Sequence, residues 1–239
     1  MYQLEDTLWW YRGQRKISQA LFDRFLPRGS ELEILDVGAG TGGQLEQLSR
    51  LGRVTAFDYS SLAVGFFRNR ANDRVAQASA AAIPFRDAAF DLVTVFDVTA
   101  TLDNQTETAA LGEIARVLKP GGYLFWREPA LQFLYGGPHD RATHVYRRYN
   151  TGAFEQRLRR MGVKPLRLSY SNTLLLPVAL VRRLVSKLMP GDAPLRSDVR
   201  PVAEPLNGAL AWVLSREAPL VAGSGLPIGL SVLTLARKE

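Results

Sequence analysis

Asp36 stands just ahead of a run in which Gly38, Gly40 and Gly42 alternate with Ala39 and Thr41, in the stretch EILDVGAGTGGQL (33–45). Glycine admits backbone angles that other residues resist, and it lets a ligand approach the main chain closely. Placed between a strand and a helix, such a turn makes a nucleotide-type crevice. The spacing is Asp-x-Gly-x-Gly-x-Gly rather than Gly-x-Gly-x-x-Gly, and no Walker lysine follows. That points away from cradling the phosphates of a dinucleotide or a triphosphate. A second carboxylate, Asp58, ends the next apolar run at a spacing suited to a ribose diol. A carboxylate can accept two hydroxyl hydrogens there, which suits a charged acceptor.

A second group of reactive types lies in GGPHDRATHVYRRYN (136–150). It holds both histidines of the chain, His139 and His144, with Asp140, Tyr146, Arg147, Arg148 and Tyr149. Histidine's ordinary pKa of about 6.5 suits a general base at neutral pH. His139 beside Asp140, or His144, could take a proton from a hydroxyl or amine. Arg147 and Arg148 could bind a phosphate or carboxylate, with Tyr146 and Tyr149 beside them. The competing reading is a surface loop whose arginines only pair with acids.

These residues need elements to hold them, and the patterning supplies an alternation. ELEILDVG (31–38), RVTAFD (53–58), DRVAQAS (73–79), FDLVTVFDV (90–98) and YLFWREP (123–129) read as strands. GGQLEQLSRLG (42–52), SLAVGFFRNR (61–70) and TETAALGEIARVLK (106–119) read as helices, the last stopped by Pro120-Gly121-Gly122. The alternation predicts an α/β fold with a parallel sheet between helices. Residues 130–150 read as a long loop, 151–162 as a helix opened by Asn150 or Thr151, and 163–172 and 230–238 as further strands. The Pro- and Gly-rich stretch before the last strand is long enough to be a functional insertion.

Composition sets the bounds. The chain has 239 residues, 46% of them hydrophobic, which predicts one domain with a real core. It has no cysteine, so disulfides and thiolate metal sites are excluded, and two histidines are too few for a histidine-rich metal site. The start lacks the long apolar core of a secretory signal, and a cytoplasmic location is the default expectation. Charge is uneven: residues 1–126 hold 13 Lys+Arg against 15 Asp+Glu, and residues 127–239 hold 17 against 8. A net +9 in the second half suits an anionic partner or simply a solvated basic surface.

ILDVGAGTG, AFDYS, AAIPFRDAAFDLV and EIARVLKPGGYL resemble, in order, the motifs of the class I S-adenosylmethionine-dependent methyltransferases, in the branch with the type 11 methyltransferase domain. The resemblance runs in register over residues 30–128. It implies a Rossmann-like three-layer sandwich with a seven-stranded, mostly parallel sheet and an antiparallel last strand. It implies S-adenosyl-L-methionine as cofactor and S-adenosyl-L-homocysteine as product. Gly38, Ala39, Gly40 and Gly42 would wrap its methionine and ribose portion, and Asp36 would orient the loop and the amino group. Asp58 would hold the ribose hydroxyls, with Tyr59 against adenine. Where relatives carry an acidic residue at the adenine, this chain has Ser79 and Ala80. Phe96 and Asp97 would meet the methionine end. Ala100 and Thr101 replace a common acidic-His pair.

The resemblance organises the chain as a single domain: an N-terminal helical cap (1–29), a cofactor core (30–129), an acceptor-site loop (130–150) and a helical lid insertion (173–229). In the family an N-terminal aromatic and basic segment folds over the cofactor. In TLWWYRGQRK (7–16), Trp10 and Tyr11 could meet cofactor or acceptor, and Arg12 or Arg15 could bind the methionine carboxylate. The alternative is that Trp9 and Trp10 pack a helix on the sheet. In LLLPVALVRRLVSKLMP (174–190), Arg182, Arg183 and Lys187 fall opposite Leu180, Val181, Leu184, Val185 and Leu188, a basic amphipathic helix suited to a lid or a membrane surface. The expected function is methyl transfer to oxygen or nitrogen of a small molecule, such as a lipid-linked or glycosylated metabolite, by a monomer or dimer without nucleic acid. The alternatives are an RNA or protein methyltransferase, or a weakly catalytic cofactor-binding protein.

Overall fold

The branched apolar runs pair into one seven-stranded sheet. A computed structural model describes residues 2–70, 74–136, 138–181 and 201–239, with Pro138 and His139 described in backbone only. The strands are β1 (Leu32–Val37), β2 (Gly52–Asp58), β3 (Val75–Gln77), β4 (Phe90–Phe96), β5 (Leu118–Pro129), β6 (Val163–Ser171) and β7 (Ser231–Lys238). Their order across the sheet is β3-β2-β1-β4-β5-β7-β6. Neighbours from β3 to β5 pair parallel, and β7 runs antiparallel to both β5 and β6. The sheet and its antiparallel last strand are those expected from the sequence. Order reverses at β1 and β4, and the carboxyl ends of those two strands open the crevice where such sheets bind ligands.

Helices cover both faces. On one lie α1 (Trp9–Phe25), α2 (Leu45–Ser49) and the helices Leu206–Ser215 and Ala218–Ala222, which bury Ile17, Leu21, Phe22, Leu48, Leu214 and Val221 against Ile34, Leu92, Phe125 and Leu233. On the other lie α4 (Asn104–Val117) and α6 (Thr151–Arg160), where Trp126 stacks on Phe154 at 3.9 Å between ring centres. α3 (Ser61–Arg68) packs Val64 and Phe67 on Ala56 and Val75. Part of the predicted insertion is therefore structural. Helix Leu206–Ser215 approaches α1 so closely that a Cβ on Gly13 would lie 2.5 Å from Leu214.

Several elements differ from the sequence reading. The helix expected over 42–52 is one short turn, Leu45–Ser49, because the glycine loop occupies its start. Pro120-Gly121-Gly122 does not separate helix from strand: β5 begins at Leu118 and takes up the three residues as a register shift against β4. Residues 130–150 are not wholly irregular, since a 3-10 turn (Gln132–Leu134) and α5 (Pro138–Ala142) lie within them. Asn150, not Thr151, caps α6 by accepting from the Ala153 amide at 2.8 Å. The basic residues Arg182, Arg183 and Lys187, with Leu184, Val185 and Leu188, lie outside the described residues. Among the described residues, no helix is long and apolar enough to cross a membrane.

Candidate active site

The glycine turn follows β1 directly and fits flush against the end of β4. Gly38 has φ 65°, and a Cβ there would lie 2.7 Å from Val98, so both conformation and space require glycine. The loop is tied to β2 through its backbone. Ala39 donates to the Phe57 carbonyl at 3.0 Å, and Gly40 donates to Asp58 Oδ2 at 2.9 Å. Asp58 Oδ1 accepts from the Ser60 amide at 2.8 Å. Two backbone bonds leave this carboxylate lone pairs for further donors. Asp36 is buried at the floor and accepts from Thr94 Oγ1 at 2.7 Å. Burial raises its pKa to about 7, the Thr94 hydrogen bond opposes that rise, and the charge of Asp58 adds to it. Tyr59, 79% exposed beside Asp58, offers an open aromatic face. Ser79 lies at the same rim, in a turn where Ala78 donates to the Asp58 carbonyl at 3.0 Å and Ser79 Oγ accepts from Ala81 at 3.2 Å. Ala80 is half-buried beside it.

Across the crevice, Asp97 directly follows β4, in the left-handed region at φ 59°. Its carboxylate pairs with Arg127 of β5. Arg127 is buried, with its guanidinium 4.9 Å from the Trp10 ring and 5.2 Å from the Phe96 ring. Trp10 meets Tyr11 edge-on at 4.9 Å. Burial, then the charges of Glu5 and Asp97, push the Tyr11 hydroxyl above its ordinary pKa, so it stays protonated and can donate. Trp10 and Tyr11 thus come to the site, and Trp10 also packs on the sheet-side core.

This arrangement has relatives. Residues 35–126 match the model of a methyltransferase domain. A probable S-adenosylmethionine-dependent methyltransferase of Mycobacterium tuberculosis is 32% identical over 128 residues, 53% of this chain and 44% of that protein. The demethylmenaquinone methyltransferase of Corynebacterium kroppenstedtii is 37% identical over 121 residues, 50% of this chain and 47% of that one. This chain therefore spans less than half the length of these curated relatives. Residues 35–126 thus carry a methyltransferase domain, and over about half of the chain the similarity is to S-adenosylmethionine-dependent methyltransferases. Among solved structures, the [4+2]-cyclase SpnF aligns with a TM-score of 0.62 at 22% identity, covering 96% of this chain and 82% of that one. A SAM-dependent methyltransferase from Archaeoglobus fulgidus aligns with a TM-score of 0.58 at 15% identity, covering 94% of each. At those identities the structures show the shared fold.

Ahead of the matched residues, an N-terminal strap crosses the glycine loop. Thr41 Oγ1 donates to Glu5 Oε2 at 2.5 Å, and Arg70 lies 3.5 Å from Glu5 and 3.0 Å from Asp6. Arg70 also donates to the Thr41 carbonyl at 2.9 Å. Tyr2 stacks on Phe66 at 4.8 Å. Arg15 donates to the carbonyls of Glu5 at 2.8 Å, Asp6 at 3.1 Å and Gly43 at 3.4 Å. The guanidinium expected to grip the methionine carboxylate thus binds strap to loop. Glu5 and Arg70 were not singled out from sequence; Glu5 sits in a short segment with no local pattern.

The acceptor-loop charges are largely consumed inside the fold, a correction to the sequence reading. Asp140 forms a buried ion pair with Arg148 at 2.5 Å and accepts from the Gly136 amide at 3.0 Å. Arg148 also donates to the Ala130 carbonyl at 2.9 Å. Arg147 donates to the Thr99 carbonyl at 3.0 Å and lies 3.2 Å from Glu107. Tyr149 is buried and donates to Glu107 at 2.6 Å, beside Arg157, also at 2.6 Å. Burial pushes Glu107 up, but the bonds from Arg157 and Tyr149 outweigh it and hold the carboxyl below its ordinary value. Only Tyr146 and His144 of the described candidates here are exposed. Tyr146 lies beside the β4 rim, where its backbone amide donates to the Ala100 carbonyl at 2.7 Å. The side chain of His139 lies outside the described residues.

Glu128, also missed, organises that rim. Fully buried at the end of β5, it accepts from the amides of Val98 at 3.2 Å, Thr99 at 2.7 Å and Ala100 at 3.1 Å, and from Trp126 Nε1 at 3.0 Å. Burial, then the charge of Asp97, pushes its pKa up to about 7 against the hydrogen bonds of Thr99 and Trp126. A charged residue inside the apolar run YLFWREP was the available sequence signal.

Proposed function

We propose that the chain transfers a methyl group from S-adenosylmethionine to a small hydroxyl-bearing acceptor. The observation that supports it best is the pairing of two walls. Asp36, Gly38–Gly42 and Asp58 form one, and Asp97 with Trp10, Tyr11 and Phe96 forms the other. The cradle fits the cofactor, because the glycines leave backbone room and Asp58 keeps acceptor capacity. Asp58 would hold the ribose hydroxyls, Tyr59 the adenine, and Asp36 with Gly38 the amino group. Once bound, the sulfonium supplies an electrophilic methyl.

The remaining work is positioning, exclusion of water and handling one proton. Asp97 would accept the hydrogen bond of the acceptor's hydroxyl, with Arg127 fixing its carboxylate. Tyr11, kept protonated, would donate. The relatives named demethylmenaquinone methyltransferase, and ubiquinone/menaquinone biosynthesis C-methyltransferase, add carbon to oxygen and nitrogen as the atom methylated. A carboxylate bound to a ring hydroxyl serves oxygen and the neighbouring ring carbon alike, since electron density gained at oxygen is shared with the ring. An apolar tail on the acceptor would suit the exposed Leu174, Val178 and Val181.

The test is a calorimetric titration with S-adenosylhomocysteine, followed by transfer of tritiated methyl to hydroxylated lipid, sugar and quinol extracts. Binding with labelled product supports the reading, and Asp97→Asn then lowers kcat by about 10²-fold or more while leaving homocysteine-nucleoside affinity unchanged. No binding at all would sink it. Binding together with conversion of a substrate that gains no label would favour chemistry without transfer, since a [4+2]-cyclase shares the fold.

A further inference from the structure

A polar chamber lies where α1 crosses the carboxyl ends of β5 and β6 and the amino end of β7. Trp10 and Gln14 are one turn apart on the same face of α1. Trp10 lies on Arg127 of β5, and Gln14 Nε2 reaches Ser171 Oγ of β6 at 3.5 Å. Strand register joins the two ends: Pro129 pairs with Ser231 of β7, and Ser231 pairs with Ser171. Gln14, Arg127, Ser171, Ser231 and the adjoining Asn172 are all buried. Yet Gln14 Oε1, Arg127 Nε and Asn172 Oδ1 have no hydrogen-bond partner among the described residues. Buried polar atoms are costly to leave unpaired, so three gathered around one helix–sheet junction point to a bound group.

Asn172 is also held in an uncommon conformation, at φ 61°. Glu217, itself buried, fixes it by accepting from the amides of Asn172 at 2.6 Å, Thr173 at 2.7 Å and Leu174 at 2.7 Å. A position over-determined in this way is a mark of a functional site.

We propose that this chamber is the recognition subsite of the acceptor and takes a neutral, hydroxyl-bearing ring; the proposal rests on the methyltransferase reading above. The chemistry follows from the unpaired atoms. Gln14 Oε1 and Asn172 Oδ1 require donors, and Arg127 Nε requires an acceptor. A hydroxyl is both. A phosphate or carboxylate offers acceptors only, would leave both amide oxygens unpaired, and would face the charge of Asp97. Trp10 and Phe96 flank the same guanidinium and set apolar ring edges beside it. Asp97 joins this chamber to the crevice through Arg127, so a ring seated here presents its edge toward the cofactor cradle.

The experiment uses the full chain saturated with S-adenosylhomocysteine and follows the side-chain N–H signals of Gln14, Asn172 and Arg127 by NMR. Hydroquinone and methyl glucoside are titrated separately, with inorganic phosphate as the anionic comparison. The expected result is a saturable shift with a hydroxylated probe and none with phosphate; the stronger probe tells a flat ring from a sugar. Gln14→Leu is expected to raise Tm, since it removes an unpaired buried group, and to weaken the probe at least about tenfold while keeping S-adenosylhomocysteine affinity within about twofold. Ser171→Ala reads the same loss should Gln14→Leu fail to fold. Silence to both hydroxylated probes means a chamber holding only water and overturns the proposal, as do equal shifts with phosphate or undiminished probe binding in both variants. A silent S-adenosylhomocysteine titration with probe shifts intact breaks the methyltransferase reading alone and leaves the chamber standing.

Discussion

Two segments at the same edge of the sheet hold charge in opposite ways. The turn at 38–43 has no ionisable side chain of its own and borrows Asp36 and Asp58 from the neighbouring strand ends. Each borrowed carboxylate is lightly engaged, Asp36 by Thr94 and Asp58 by two backbone amides. The segment 130–150 is rich in charge, yet Asp140, Arg147, Arg148 and Tyr149 bind one another, backbone carbonyls or Glu107. A count of ionisable residues therefore says little about which are free to meet a ligand. What decides is whether the fold has already supplied partners.

The sharpest way to break that contrast is to remove a charge from each segment. Arg148→Ala leaves Asp140 buried and unpaired, which costs about 3–5 kcal/mol for a broken buried pair. At this chain length that lowers Tm by roughly 10 °C in calorimetry. Affinity for S-adenosylhomocysteine, measured well below Tm, stays unchanged. An acceptor-gripping arginine would do the reverse, raising KM with little change in Tm. Asp58→Ala is the counterpart: cofactor affinity falls by about 2–3 kcal/mol, roughly 30- to 150-fold, through lost charge-assisted hydrogen bonds. Isothermal titration with S-adenosylhomocysteine reads this loss of affinity, and an unchanged Kd would remove Asp58 from the cradle.

A smaller effect is set by pH. Asp36 and Glu128 both titrate at about 7 in the folded chain, above the ordinary carboxylate values of about 4. Between about pH 4 and 7 the folded chain holds protons that the unfolded chain has lost. Stability therefore falls as pH rises through that window and levels off above it, by about 1.4 kcal/mol per pH unit for each group. Asp36→Asn removes its share of the slope, which urea midpoints at pH 5, 6 and 7 would show. Cofactor binding runs the other way. A cationic amino group at Asp36 favours the ionised form, so affinity weakens below pH 7 by up to about tenfold per unit, and this dependence disappears in the same variant.

The glycine turn and its two flanking carboxylates were legible because their pattern is local. Asp36, the glycines and Asp58 sit at fixed offsets from strand ends, and periodicity alone places those ends. The antiparallel last strand came with the resemblance rather than with any residue pattern, and the order of the strands was in neither. The partners of the acidic residues were not legible. Glu107 meets Tyr149 and Arg157 across 42 and 50 residues, and Glu128 meets Thr99 across 29. Spacing in sequence does not encode such pairs; topology does. Arg127 looked like one more basic residue, and only folding puts it between Trp10 and Phe96.

The smallest expected effect concerns His144, the residue of 136–150 that chemistry by type alone most favours. It is exposed at φ 53°, and its backbone amide reaches the Arg141 carbonyl at 3.5 Å. No described contact ties its imidazole to the crevice. A base must reach the proton it takes, directly or through one water, and Asp97 already presents a carboxylate at the strand end. His144→Ala should therefore change kcat by less than about twofold, against the 10²- to 10⁴-fold that loss of a general base costs. His144→Gly should raise Tm slightly, because glycine accepts the left-handed angle without strain. A large fall in kcat for His144→Ala would return the base to the acceptor segment and erase the contrast between the two segments.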